Sequence, residues 1–267
     1  MNTVSRTQII ATLGPSTKDR ATIQALVAHQ MDVARINMSW GTHEEDTGII
    51  RYVREAGESA HRAIPVMLDL SGPRVQEGDV HHFAGSVGGV ITEKDKADIA
   101  FGVSERVEYF ALSYVGSAKD VEELRGLLAS KGSSARIIAK IERKDAVAHA
   151  ADIIAAADAV MVARGDLGNE VPLERIPFAQ YSLIRQANDA GKPVIVATEM
   201  LPSMIEHDVP TRSDVSDIVL AVMMGADAVM LSNETAIGKF PVEAVAMMEK
   251  IVLEAERHGA TKTRLAL

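Results

Sequence analysis

Three charged residues follow short apolar runs and together suit metal-assisted chemistry on an anionic substrate. Lys140 and Glu142 lie in the segment IIAKIE, and Asp166 lies in the segment VMVARGD. Two carboxylates, completed by water and a chelating substrate, are a usual way of holding Mg²⁺ or Mn²⁺. An ammonium group beside them can neutralise an oxyanion as it develops. The residues therefore predict a site in which Glu142 and Asp166 bind a divalent metal and Lys140 is catalytic.

The same three residues also allow structural interpretations. Two acids at strand ends can simply be solvated, and a lysine can be retained for a salt bridge to Glu142 or Asp166. Lys140 lies inside an otherwise apolar segment, where a lysine needs a charged partner. That position favours a shared site over three independent charges.

Further residues are suited to binding the anionic groups of a substrate. Gly165 lets the main chain approach a ligand closely, so the amides of Gly165 and Asp166 could bind a carboxylate, with the Thr198 hydroxyl opposite. Arg35 supplies a fixed cation for a second anionic group. Trp40 could be either a platform for the substrate or a packing residue.

Eight apolar segments would have to position these residues, and each precedes a helical pattern. The predicted strands span residues 8–14, 32–39, 65–71, 107–115, 135–142, 158–165, 193–200 and 227–234. The helical patterns include 117–132, 143–157, 213–225 and 241–259, with Ser117 and Ser213 suited to N-caps. Eight strand-then-helix units predict a (β/α)₈ TIM barrel, and an open doubly wound sheet is the alternative.

The barrel prediction determines where polar side chains should gather. Catalytic groups of such barrels lie at the C-terminal ends of the strands and face inward. Because side chains alternate along a strand, Arg35, Asn37 and Ser39 share one face, as do Lys140 and Glu142. Four other predicted strands carry polar residues at or near their C-terminal ends, namely Asp69, Asp166, Thr198 and the pair Ser232 and Glu234.

Composition limits the possible partners and compartments. The 267 residues are 47% hydrophobic, which is enough for a single barrel domain over residues 1–267. The formal net charge of −9 argues against nucleic acid or an anionic membrane as the main partner. Cysteine is absent, which excludes disulfides and thiolate metal sites. The start MNTVSRTQII lacks a signal-peptide pattern, so a cytoplasmic protein is expected.

Residues 73–91 do not fit the barrel pattern. They are polar and rich in glycine, and they predict a short loop between the third strand and the third helix. His81 and His82 lie in this loop, but adjacent residues point apart in an extended chain and no third ligand is nearby. The two histidines are therefore predicted to be loop residues rather than metal ligands.

Several segments, in this order, make the chain similar to the pyruvate kinase family. They are IIATLGPST, ARINMSWGTHEE, LDLSGP, IIAKIER, VMVARGDLGNEVP, GKPVIVATEML, PTRSDVSD and VMLSNETAIGKFPVEAV. The resemblance covers nearly the whole chain and implies a TIM barrel that acts on a small 2-oxo acid.

The resemblance also implies roles by position. Lys140 matches the lysine beside the transferred phosphoryl group, and Arg35 matches an arginine near the phosphate. The other matched positions are the divalent-metal ligands Glu142 and Asp166, the monovalent-cation (K⁺) ligands Asn37, Ser39 and Asp69, and the carboxylate pocket of Gly165, Asp166 and Thr198.

Departures from the family pattern concern the phosphate end of the site. The family has a lid domain where this chain has only residues 73–91, and its C-terminal regulatory domain is expected to be absent as well. Ser71 stands where the family usually has lysine, and Gln76 where it has an arginine that contacts phosphate. Trp40 replaces a histidine and Asn233 replaces a glycine.

These departures favour enolate chemistry without efficient phosphoryl transfer. The leading hypothesis is a metal-dependent aldolase or lyase acting on pyruvate or a related 2-oxo acid, with an unidentified second substrate. The alternatives are a minimal pyruvate kinase that transfers phosphoryl from phosphoenolpyruvate to ADP, and a non-catalytic scaffold. Apolar residues on the outer helices favour a homo-oligomer.

Overall fold

Parallel strands close a barrel, and helices surround it. The computed structural model describes residues 4–77, 80–83, 89–259 and 267. The strands are β1 (Gln8–Leu13), β2 (Val33–Asn37), β3 (Val66–Asp69), β4 (Arg74–Glu77), β5 (Val80–Phe83), β6 (Tyr109–Leu112), β7 (Arg136–Ile141), β8 (Ala159–Ala163), β9 (Val194–Ala197) and β10 (Ala228–Leu231). Eight of them close the barrel in the order β1-β10-β9-β8-β7-β6-β3-β2. This closure confirms the (β/α)₈ prediction and excludes the open sheet.

Helices follow the barrel strands along the chain. They are α1 (Arg20–Ala28), α2 (His43–Ser59), α3 (Glu93–Ser104), α4 (Ala118–Ser130), α5 (Lys144–Ala148), α6 (Ala150–Ala156), α7 (Arg164–Glu170), α8 (Ile176–Asp189), α9 (Arg212–Met224), α10 (Asn233–Ala236) and α11 (Pro241–His258). Two 3₁₀ turns span Leu173–Arg175 and Pro202–Ile205. Among the described residues, no helix combines the length and the apolar character needed to cross a bilayer.

The two faces of each barrel strand enter two different apolar clusters. On β7, Ile137, Ala139 and Ile141 pack into the outer core beneath the helices, while Ile138 packs into the core inside the barrel. Lys140 shares the face of Ile138 and therefore points inward. The same alternation directs polar residues of β2 and β3 to the barrel interior, as the sequence predicts.

Two helix boundaries differ from the sequence prediction. Helix α9 begins after Thr211 rather than Ser213, because the Thr211 hydroxyl accepts from the Asp214 amide at 3.2 Å and the Asp214 carboxylate accepts in return. The helix predicted over 143–157 is divided at His149, whose ψ of 18° departs from helical geometry. Ser117 precedes α4 as predicted.

Residues 73–91, predicted as a loop, contain a hairpin. Strands β4 and β5 pair antiparallel, with Arg74 opposite Phe83. The sequence RVQEGDVHHF explains this, because a Gly-Asp pair between two short segments is typical of a hairpin turn. The side chains of Gln76, His81 and His82 lie outside the described part of the structure.

Candidate active site

Buried charged side chains meet at the C-terminal ends of β3 and β7. Lys140 donates to Asp69 Oδ1 at 2.9 Å and to the Ser113 hydroxyl at 2.8 Å, and its Nζ lies 2.8 Å from Glu142 Oε1. Burial alone would lower the pKa of Lys140, but the carboxylates of Asp69 and Glu142 outweigh it and raise that pKa above its ordinary value. Lys140 is therefore an ammonium ion at neutral pH.

Asp69 is held between two cations. The Arg35 guanidinium contacts Asp69 Oδ2 through Nε at 2.8 Å and through Nη2 at 2.7 Å, and its Nη1 donates to the Thr12 hydroxyl at 2.8 Å. Burial alone would raise the pKa of Asp69, but Lys140 and Arg35 outweigh it and hold that pKa below its ordinary value. The Asp69 carboxylate thus orients both Lys140 and Arg35.

The carboxylates of Glu142 and Asp166 influence each other electrostatically. Glu142 is 2% exposed, and its Oε2 accepts from the Tyr114 amide at 2.7 Å. Burial raises the pKa of Glu142; Lys140 opposes this rise, and the Asp166 carboxylate adds to it. Asp166 itself is half-buried in the first turn of α7, next to the end of β8. The two carboxylates therefore lie close enough to repel each other.

The charges in this region suit a divalent cation. By formal charge, the three acids Asp69, Glu142 and Asp166 outnumber the two cations Lys140 and Arg35 by one. Burial is the main cause of the raised pKa of Glu142, and the carboxylates of Asp166 and Asp69 add to it. Among the described residues, no group of three or more acidic or histidine side chains is gathered as a metal cage. A cation at Glu142 and Asp166 would therefore take its remaining ligands from water and substrate, which is the usual arrangement for Mg²⁺.

Gly165 and Thr198, the two residues predicted to bind a carboxylate, lie against each other. A Cβ atom added to Gly165 would lie 2.7 Å from Thr198 Cγ2. Thr198 follows β9 and has a φ of 76°, and the next residue, Glu199, has a φ of 55°. Both values lie in the left-handed region that residues other than glycine seldom adopt. The chain here is thus shaped into an uncommon turn.

The remaining predicted residues lie at the β2 side of the mouth. Asn37 is aligned with Asp69 across β2 and β3. Its side-chain oxygen accepts from the Ser39 amide at 3.1 Å, and the Ser39 hydroxyl donates to Ser71 at 3.2 Å. Trp40 is 62% exposed.

Sequence reasoning missed three residues that shape the site. Ser113 accepts from Lys140 and donates to the Leu70 carbonyl at 2.6 Å, and Thr12 supports Arg35. Both residues lie at strand ends, where site residues are expected. A single Ser or Thr at such a position is too common to predict a role. Arg164 gave no signal, because its contacts come from α8, α9 and the segment after β9.

Comparison with known proteins agrees with this geometry. A family model described as "Pyruvate kinase, barrel domain" matches residues 4–88 and 84–245. Pyruvate kinase isozyme G, chloroplastic, from Nicotiana tabacum is 37% identical over 336 positions, which cover 96% of this chain and 60% of the relative. Pyruvate kinase from Thermococcus litoralis is 34% identical over 333 positions, which cover 95% of this chain and 70% of the relative.

A third relative gives the same result. Pyruvate kinase 2 from Synechocystis is 34% identical, with 94% of this chain and 57% of the relative covered. The chain thus spans about 60% of the length of the tobacco and Synechocystis relatives. With both the family model and these relatives matching nearly its whole length, the chain belongs to the pyruvate kinase family, and its fold is that family's barrel domain.

Proposed function

We propose that this chain is a catalytic barrel that transfers a phosphoryl group between phosphoenolpyruvate and ADP. The observation that carries the proposal is Lys140, which lies between Glu142 and Asp69 at the C-terminal end of the barrel. The family membership favours phosphoryl transfer over the aldolase or lyase reaction that the sequence departures suggested.

The proposed roles follow the family positions and the contacts described above. Glu142 and Asp166 would hold Mg²⁺ or Mn²⁺, which when bound would act as a Lewis acid on the 2-oxo oxygen. The amides of Gly165 and Asp166, with Thr198, would bind the substrate carboxylate. The other proposed contacts are Arg35 to phosphate, Asn37, Ser39 and Asp69 to K⁺, and Trp40 to substrate.

The protonation state of Lys140 determines what this residue can do. Because neighbouring carboxylates raise its pKa, Lys140 remains charged and does not serve as the general base. Its ammonium group would instead share the negative charge that develops on the 2-oxo oxygen, and Asp69 and Ser113 keep it aimed at that place.

A coupled assay with phosphoenolpyruvate, ADP, Mg²⁺ and K⁺ tests the proposal. We expect turnover in the wild type and a loss of about 100- to 1,000-fold in Lys140→Met, the range found when one group that stabilises an oxyanion is removed. Lys192→Met is the matched control, because Lys192 donates to the Ala157 carbonyl at the opposite end of the barrel. Absence of turnover in the pure wild type would reject phosphoryl transfer.

One observation favours a second candidate, an aldolase or lyase acting on pyruvate. The tobacco alignment runs over 336 positions, although 96% of the 267 residues is only about 256. The family model is matched in two pieces that meet at residues 84–88. We infer that the relatives carry a further segment, the lid domain, where this chain has the hairpin. A site without that cover would remain open to a second substrate.

The two candidates differ in a measurable way. Exchange of the pyruvate methyl protons with deuterated water in the presence of Mg²⁺, without turnover in the coupled assay, would favour the aldolase or lyase. Failure of both assays, together with no binding of Mn²⁺, would favour the non-catalytic scaffold. Cytoplasmic location and homo-oligomerisation stay predictions; exposed Leu173 and Phe178 supply apolar surface for the latter.

A further inference from the structure

Arg164 occupies a place that the catalytic roles above do not explain. It is the first residue of α7, directly before Gly165, and its side chain is only 10% exposed. Its Nη2 donates to the carbonyl oxygens of Thr198 at 2.6 Å and Glu199 at 2.9 Å, and its Nε donates to Thr198 at 3.1 Å. One guanidinium therefore binds both carbonyl oxygens of the left-handed turn that Thr198 and Glu199 form.

That turn needs such support. Successive positive φ values at Thr198 and Glu199 each cost conformational energy, so the turn persists only where its surroundings fix it. On the far side, the Glu234 carboxylate accepts from the Leu201 amide at 3.0 Å. Side chains of opposite charge thus hold the two ends of the turn. Glu234 binds the end at Leu201, and Arg164 binds the end at Thr198, whose hydroxyl is proposed to bind the substrate carboxylate.

Arg164 also belongs to the other side of the same pocket. Its chain neighbour Gly165 lies against the Thr198 methyl group, so the two sides of the pocket are in contact. We propose that Arg164 is a positioning residue that places the Thr198 hydroxyl opposite the Gly165 and Asp166 amides, and so sets the affinity for the substrate carboxylate. This inference rests on the proposed role of Thr198 in binding that carboxylate.

Arginine is the residue that the geometry requires. Two carbonyls from adjacent residues, and a carboxylate and an amide oxygen from Asp217 and Gln180, surround the guanidinium on several sides. A planar fork with five donors meets all of these acceptors, whereas a lysine ammonium is a single point with three donors. A lysine would keep the positive charge but could not hydrogen-bond to both carbonyl oxygens and to the other acceptors at once.

A purely structural role is the competing explanation. Arg164 pairs with Asp217 on α9 and with Gln180 on α8, so it also joins two outer helices to β8. Asp217→Asn removes the charged partner on α9 and leaves both carbonyl contacts in place. This variant therefore separates helix packing from positioning of the turn.

The experiment measures pyruvate binding by titration calorimetry in the presence of Mg²⁺, with melting temperature recorded for each variant. We expect Arg164→Lys to weaken binding by about tenfold or more, since small misplacements of a binding group carry losses of that size. Asp217→Asn should lower the melting temperature and change affinity less than about threefold. Arg125→Lys is a distant control, because Arg125 contacts Asp158 and the Ala156 carbonyl away from the site.

A double-mutant cycle tests whether Arg164 acts through Thr198. In the background Thr198→Val, which lacks the hydroxyl, Arg164→Lys should cost less than about threefold, because coupled residues are not additive. Full additivity, or equal losses in Arg164→Lys and Asp217→Asn, would overturn the inference. Arg164→Gln replaces the lysine variant if that one does not fold, with the same dependence on Thr198 expected. If the wild type itself does not bind pyruvate, the proposed function fails rather than the role of Arg164.

Discussion

At the scale of single residues, the site is a row of buried side chains whose charges alternate in sign. Lys140 lies between Glu142 and Asp69, and Asp69 in turn lies between Lys140 and Arg35. Each buried charge thus has an opposite partner, which is the condition under which buried charges are tolerated. The sequence could predict Lys140 and Glu142 as neighbours because they share one face of β7. It could not predict that Asp69 joins both cations, since that depends on the register of β3 relative to β2 and, across β6, to β7.

The contact between Gly165 and Thr198 gives the first prediction. Gly165→Ala places a Cβ atom only 2.7 Å from Thr198 Cγ2, so we expect the turn to move and pyruvate affinity to fall by about tenfold. Thr198→Ser removes Cγ2 and keeps the hydroxyl, and the double variant should recover most of the loss. Calorimetric titration with pyruvate and Mg²⁺ measures the effect. Gly168→Ala is the control, because a Cβ there meets nothing within 4 Å; a double variant as weak as Gly165→Ala would contradict the steric explanation.

Asp46 gives a second prediction at this scale, on stability. Its Oδ2 atom is buried without a hydrogen-bond partner in the described structure, and burial raises its pKa to about 6. The folded state therefore binds the proton more tightly than the unfolded state, and the stabilisation present at low pH is lost as pH rises through about 6. Between pH 5 and pH 8, the wild type should lose about 1–2 kcal/mol of unfolding free energy relative to Asp46→Asn.

Urea unfolding at several pH values measures this difference. Asp19→Asn is a suitable comparison, because hydrogen bonds from Thr22 lower the pKa of Asp19 and keep it ionised throughout that range. The gap between wild type and Asp19→Asn should therefore not change between pH 5 and pH 8. A gap between wild type and Asp46→Asn that is equally constant would show that Asp46 does not titrate there.

At the scale of elements, the strands were the most predictable part of the fold. Apolar runs bounded by polar residues mark each barrel strand, because strands covered on both faces have little polar surface. The hairpin β4–β5 was missed, because its segments are short and lack an apolar face. Its position is fixed by tertiary contacts instead: the Phe83 ring lies 5.4 Å from the Tyr114 ring, and the Arg143 guanidinium lies 3.9 Å from the Phe83 ring centre.

These contacts predict how the hairpin is attached to the barrel. Phe83→Ala removes both, so we expect amide hydrogens of the hairpin to exchange about tenfold faster, while those of β7 and β8 keep their protection. Hydrogen exchange followed by mass spectrometry resolves the two regions. Val75→Ala, a change of an exposed side chain on the same hairpin, should leave exchange unaltered. Equal exchange in Phe83→Ala and wild type would mean that other contacts hold the hairpin.

At the scale of the whole molecule, the order of strands around the barrel turns distant sequence positions into neighbours. The site draws on β2, β3, β7 and the segments after β6, β8 and β9, so residues separated by more than 100 positions meet at one end. The parallel βα pattern predicts that end, because C-terminal strand ends coincide in a barrel. It does not predict the partners of Arg164, which come from α8, α9 and the turn after β9.

The excess negative charge at this end predicts that cation binding stabilises the entire fold. A cation that binds only the folded state adds about 2.7 kcal/mol at 100 times its dissociation constant, which raises the melting temperature of a domain of this size by roughly 5–10 °C. We expect such a shift with Mn²⁺ and pyruvate in the wild type, and its loss in Glu142→Gln and in Asp166→Asn. Asp145→Asn alters a largely exposed acid near the same strand end and should keep the full shift. Because each variant is compared with itself before and after Mn²⁺, a lower starting stability does not obscure the result. A full shift in both site variants would mean that the cation binds elsewhere.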